Sequence, residues 1–118
     1  MPSEYEALVA ALKLTDIPFA ENAWKTRPEG VYGVVSLEME DGDLIGDGRK
    51  VDRSWEGSVD VFFLRIAQRD EMMNTVEEIL DEICGGSWEL NSFTHEQAAG
   101  LFHIEWVFRV MDDAEDQE

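Results

Sequence analysis

Basic residues are scarce in this chain. Nine Lys and Arg stand against 27 Asp and Glu over 118 residues, giving a formal net charge of −18 at pH 7. That scarcity argues against a surface that grips phosphate, because such grip is dominated by Lys and Arg. It argues equally against docking on anionic membranes. Cysteine is nearly absent too. Cys84 stands alone, which excludes an internal disulfide and fits a reducing compartment. Two histidines, His95 and His103, with one cysteine make no zinc-ligand set at a recognisable spacing. No apolar run approaches the length needed to span a bilayer. The opening "MPSEYEALVAALKL" lacks the basic n-region of a signal peptide, so export by such a signal is not expected. No P-loop, dinucleotide fingerprint or G-x-S-x-G occurs.

These absences leave no nucleophile–base pairing on which to build an enzyme. Cys84 closes an acidic helical segment, where a thiolate is disfavoured. Carboxylates are so abundant that a pair exists at any separation, and none is diagnostic. No catalytic residue, cofactor or metal is expected. The charge itself has two readings. It serves solubility, or it lets the protein work beside DNA without sticking, or dock onto a basic partner.

What is present is globular: 44% of residues are apolar and 31% charged. A chain of this length forms one domain and buries roughly two-thirds of its unfolded surface. Ser3 followed by Glu6 reads as a capping box, and Tyr5, Leu8, Val9 and Leu12 fall at helical spacing over residues 3–14. "FAENAWKTRPEG" reads as an irregular connection pinned by Phe19 and Trp24. From Val31 the period becomes two, with Gly33, Val35, Leu37 and Met39 on the same face. "SWEGSVDVFFLRI" alternates likewise. "DEMMNTVEEILDEICGG" returns to helix, with Asp70 as N-cap and an apolar stripe through Met72, Val76, Leu80 and Ile83. "SWELNSF" is a short strand and "THEQAAG" a connection or a single helical turn. "LFHIEWVFRV" is a strand with Phe102, Ile104, Trp106, Phe108 and Val110 on one face, and His103, Glu105 and Arg109 on the other. The expected fold is therefore α+β: a mainly antiparallel four-stranded sheet with two helices packed on one face. The element order is α-β-β-α-β-β, with a long loop between the first two strands. Residues 1–111 form the domain, and 112–118 a mobile acidic tail.

"EDGDLIGDGRKVDR" supplies that loop. Asp41, Asp43 and Gly46 sketch a calcium loop, but Ile45 and Arg49 stand where oxygen donors belong, and strands flank it. Gly/Asp turn chemistry explains the same letters. A connection of thirteen residues (41–53) is nevertheless long for a hairpin, and such loops are commonly functional. Leu44, Ile45 and Val51 are apolar, while Arg49, Lys50 and Arg53 gather a third of the chain's cations. The helix face bearing Glu77, Glu78, Asp81 and Glu82 carries no cation, and its last two acids oppose the macrodipole. A basic arm from one copy fits that acidic face on another, which gives a heterologous contact that closes into a ring. Asp43, Leu44, Ile45, Asp47, Arg49, Lys50 and Arg53 are the candidate contact residues of that arm.

The layout resembles the tail-terminator, tail-completion or head–tail joining proteins of long-tailed phages and prophages. The resemblance runs over residues 5–111. It is carried by a helix ending in "IPFAENAW", a long strand reaching an acidic Gly-rich loop, "VDVFFLRIAQRDEMMNTVEEILDE", and "SWEL" followed by "LFHIEWVFRV". It implies a non-enzymatic virion part, assembled in the host cytoplasm as a ring, expected hexameric, at the head-proximal end of the tail tube. The ring would end tube polymerisation and meet both the tail-tube protein and the head-connector protein. DNA would pass nearby unbound, with Glu77, Glu78, Asp81 and Glu82 or the C-terminal tail flanking the lumen. An acidic DNA-mimic inhibitor, or a small adaptor in another joining role, is the alternative.

Overall fold

The structure, a computed structural model, describes residues 2–45 and 49–111, with the side chains of 39–53 left aside. Helix α1 (Ser3–Lys13) buries Tyr5, Leu8, Val9 and Leu12, as their spacing requires. Glu4 and Glu6 in its first turn and Lys13 in its last complement the macrodipole. The expected capping box does not form, since Pro2 is the N-cap and no side-chain cap bond is made. Thr15 closes the helix instead: its hydroxyl donates to the Leu12 carbonyl at 2.7 Å and accepts from the Ile17 amide at 3.2 Å.

The chain then diverges from the expected architecture. Phe19–Glu21, read as connection, forms a short strand, β1, parallel to β2 (Tyr32–Ile45) in the register Phe19↔Gly33 to Glu21↔Val35. The remaining strands are β3 (Arg49–Phe63), β4 (Trp88–Glu96) and β5 (Leu101–Met111), with α2 (Arg69–Cys84) between β3 and β4. The sheet has five strands in the order β1-β2-β3-β5-β4 and one parallel pair, so the four-stranded, mainly antiparallel expectation is corrected. The element order is α-β-β-β-α-β-β. The close approach at Gly33 explains how β1 fits. The Phe19 ring lies where a Cβ would stand, with ring atoms at 2.3–2.7 Å from that position. Trp24 secures the same segment by donating its indole N–H to the Gly33 carbonyl at 2.9 Å.

The long loop is also corrected. β2 and β3 stay paired through Glu40↔Trp55, Gly42↔Arg53 and Leu44↔Lys50 to Ile45↔Arg49, with register shifts after Leu37 and after Gly42. Backbone pairing needs only N–H and C=O groups, so a Gly- and Asp-rich sequence does not prevent it. Asp47 and the tail 112–118 lie outside the described residues. At its other end β3 stops at Phe63, short of the expected Ile66, and a single 3₁₀ turn, Ile66–Gln68, follows. The Gln68 side chain accepts the Leu64 and Arg65 amides at 3.3 and 3.0 Å, and α2 begins at Arg69 with Gln68, not Asp70, at its N-cap.

Both helices cover one face of the sheet. Val35, Val59, Val61, Phe63, Ile104, Trp106, Phe108 and Val110 meet Leu8, Leu12, Val76 and Leu80 in a single core. The apolar faces of β3 and β5 are those the alternation gave. Gly57 admits Phe108: a Cβ there would stand 2.5 Å from the ring's Cζ and 2.3 Å from the Ser36 carbonyl oxygen. The principal extents of 52 × 28 × 26 Å reflect the two long central strands, since fourteen extended residues span roughly 48 Å.

Candidate functional site

Three surfaces carry chemistry that the core does not absorb. The first is the far end of the β2–β3 hairpin. Among the described residues β5 pairs with β3 up to Ser54↔Met111, and β1 reaches Val35 on β2. Beyond those points β2 and β3 run on together, as a two-stranded ribbon among the described residues. The backbones of Asp43, Leu44, Ile45, Arg49, Lys50 and Arg53 belong to this ribbon. Its strand-paired flanks differ from the helices that flank a calcium loop of the helix–loop–helix type.

The second surface is α2. Its apolar stripe (Met72, Val76, Leu80, Cys84) is buried, and the four acids singled out from the sequence divide into two rows. Glu77 is half-buried, and its Oε2 accepts the Trp106 indole N–H at 2.9 Å. Asp81, one turn on, accepts the Trp88 indole N–H through Oδ1 at 2.8 Å. These two carboxylates reach down to the sheet. Glu78 and Glu82 lie exposed, and so does Asp81 despite its indole contact; only Glu77 is half-buried. Two of the four thus have an oxygen engaged by an indole, and two do not show such a contact. The signal for this was in the sequence: a buried tryptophan requires an acceptor, and acids at a helix C-terminus that the dipole opposes need a tertiary reason. Cys84 at the end of the same helix is buried, and burial, with Glu4 nearby, pushes its thiol up to about 11. It is far from an activated nucleophile.

The third surface is the sheet face without helices. The registers Tyr32↔Phe62 and Phe62↔His103 align three rings across β2, β3 and β5. Tyr32 and Phe62 stack at 4.7 Å between centroids, Phe62 and His103 at 4.2 Å, and the Arg27 guanidinium lies 5.6 Å from the Tyr32 ring centre. His103 Nε2 lies 2.7 Å from Asp60 Oδ2, and Nδ1 lies 3.4 Å from Glu96 Oε2. The hydrogen bond to Asp60 raises the His103 pKa above its ordinary value. Burial opposes the rise, and the charges of Asp60, Glu96 and Glu105 add to it. His95 stands apart, stacked on Phe102 at 4.4 Å. Below these rows Ser58 donates to Glu38 at 3.2 Å and Asn91 to Glu105 at 2.7 Å.

Among the described residues no group of three or more His, Cys, Asp and Glu side chains is placed to hold a metal ion. No described helix is long and apolar enough to cross a membrane. A shallow cleft of about 310 Å³ lies between Glu56, Gly86, Ser87, Trp88, Glu89 and Arg109.

No protein-family model matches the chain, and no curated protein matches it. Among solved structures, it is similar to a chain in the virion of a native gene transfer agent particle. The TM-score is 0.56 and the identity 16%, over 91% of this chain and 92% of that one. At that identity the likeness is one of fold, and it extends along nearly the full length of both chains.

Proposed function

We propose that this protein is a non-enzymatic structural component of a phage-like particle, and that it caps the head-proximal end of a tail tube as a ring of its own copies. The observation that carries the reading is the end-to-end likeness of fold to a virion chain of comparable length. Physical features support it. The sheet extends into a projecting ribbon whose sequence holds Arg49, Lys50 and Arg53, a third of all the cations in a strongly acidic chain. Glu78 and Glu82 stand exposed on α2 as a complementary surface. A ribbon at one place on the molecule and its receptor at another make a heterologous contact, the kind that closes into rings. Acidic walls repel phosphate, so DNA passing through such a ring would not stick. The partners in this reading are further copies of the chain, the tail-tube protein and the head-connector protein, within the virion.

The test is assembly. Purified protein, alone and with tail-tube protein, is sized by light scattering and imaged by electron microscopy. The expected result is a ring, hexameric in this reading, that stops tube growth. Reversing Arg49, Lys50 and Arg53 to Glu together leaves the monomer folded and abolishes the ring. Unchanged assembly by the triple variant refutes the arm. Salt-sensitive binding to a DNA-processing enzyme, without rings, would favour the DNA-mimic alternative.

A further inference from the structure

Both ring nitrogens of His103 face carboxylate oxygens that belong to different strands. Asp60 approaches Nε2 from β3, and Glu96 approaches Nδ1 from the end of β4. A neutral imidazole has one N–H, so one of those carboxylates would face a ring lone pair. Only the imidazolium offers a donor to each. The ring is also stacked on Phe62, a placement that favours the cation. His103 and Asp60 are each about four-fifths buried, so the pair is shielded from much of the solvent.

Glu96 is the residue at which β4 ends and the turn to β5 begins. Its carbonyl accepts the Ala99 and Gly100 amides at 3.2 and 2.9 Å, and its register partner is Leu101. Gly100 completes the turn with φ of +68°. The Glu96 side chain therefore ties the start of this turn to the charged ring on β5, and through it to Asp60 on β3.

We infer that His103 is a proton-operated latch: as imidazolium it clamps the β4–β5 turn onto β3, and its deprotonation frees that turn. The other groups facing the ring are few. Thr94 is its register partner on β4 and is uncharged; Glu105 lies two residues along β5; Phe62 lies beside it on β3. Arg27, the nearest cation in this row, is separated from it by the Tyr32 and Phe62 rings. Loss of the proton leaves Asp60, Glu96 and Glu105 as like charges around a neutral ring, so their mutual repulsion acts against the closed turn. A group whose pKa is raised on folding contributes stability that is fully present below its unfolded value, near 6.5. That contribution is lost as pH rises through the folded value. The turn is therefore held while the ring is protonated and loosened as pH rises through the raised folded value. This inference does not depend on the ring assembly proposed above.

The experiment is an NMR titration of the full chain, with imidazole ¹⁵N shifts assigned by comparison with His95→Gln. His103 is expected to carry protons on both nitrogens at pH 6 and to titrate above 6.5. Solvent exchange of the Ala99 and Gly100 amides, corrected for intrinsic base catalysis, is followed in parallel. Their protection is expected to fall about tenfold for each unit by which the His103 pKa is raised. In Glu96→Gln the ring still titrates above its ordinary value through Asp60, but the turn loses its pH step. A His103 that titrates at or below 6.5, turn protection that stays level as it deprotonates, or an unchanged step in Glu96→Gln overturns the latch. The wild-type and Glu96→Gln measurements decide the matter even if His103→Gln fails to fold.

Discussion

Replacing Glu77 with alanine removes the acceptor of an indole N–H that belongs to a fully buried tryptophan, Trp106. Two effects add. A hydrogen bond to an ionised acceptor contributes about 1.5–3 kcal/mol, and a buried donor left unpaired costs about 1–3 kcal/mol if no water replaces the carboxylate. Glu77 is half-buried, so water has partial access, and the lower figures apply. The net expectation is a loss of about 1.5–3 kcal/mol. At about 4 °C per kcal/mol for a chain of this size, Tm falls by roughly 6–12 °C. Glu77→Gln keeps an acceptor and recovers more than half of the loss. Asp81→Ala, at the exposed end of the helix, costs under about 1 kcal/mol. The assay is urea unfolding followed by far-UV circular dichroism, with Trp106→Phe completing a double-mutant cycle. A coupling energy near zero, or a Glu77→Ala midpoint indistinguishable from wild type, refutes the claim that this acid serves the fold.

Two further outcomes test the packing. Gly57→Ala is expected to destabilise by more than about 2 kcal/mol, because its Cβ meets a backbone carbonyl that cannot rotate away. Gly33→Ala should cost less, since Phe19 sits on a three-residue edge strand that is able to shift, and a reversed order in urea unfolding contradicts this. Cys84, with its pKa pushed up to about 11 by burial, is expected to react with iodoacetamide at pH 8 at least ~100-fold more slowly than in urea-unfolded protein. Comparable rates would show that the end of α2 opens freely.

The parts of the fold that were legible in the sequence are those where one residue pattern determines one face. The stripe on α2 and the alternation of Val59, Val61 and Phe63 against Ile104, Trp106 and Phe108 needed no tertiary knowledge, because burial repeats with the backbone period. β1 was not legible. Three residues beside Pro18 carry no period, and what makes them a strand is a bare patch on β2 at Gly33. The length of the hairpin was hidden for a related reason. Gly and Asp signal turns through their local preferences, but here two long strands prolong a ladder that is already registered. Register shifts after Leu37 and Leu90 leave no compositional mark at all. His103 shows the same limit at the level of chemistry. Its place on the polar face of a strand followed from alternation. Its engagement by Asp60 and Glu96 follows from strand order, and β5 lies between β3 and β4 only because the chain crosses over through α2.

The split of the α2 acids bears directly on how such a charged molecule is built. Glu77 and Glu78 are neighbours in sequence and differ by about 100° around the helix, so one reaches the sheet while the other faces outward. The same holds for Asp81 and Glu82. An acid that caps an indole is fixed by the fold and has an accepting oxygen already engaged. An exposed acid of the outer row keeps its charge available to a partner. Removing charge at half-buried Glu77 therefore acts on folding, at exposed Asp81 only weakly so, and removing it from the outer row acts on association. Glu78→Gln with Glu82→Gln isolates the second effect: stability in urea stays within about 0.5 kcal/mol, as for surface sites generally, while any assembly that depends on basic residues weakens. The two rows were indistinguishable in composition, and only the position of two tryptophans on the sheet beneath separates them.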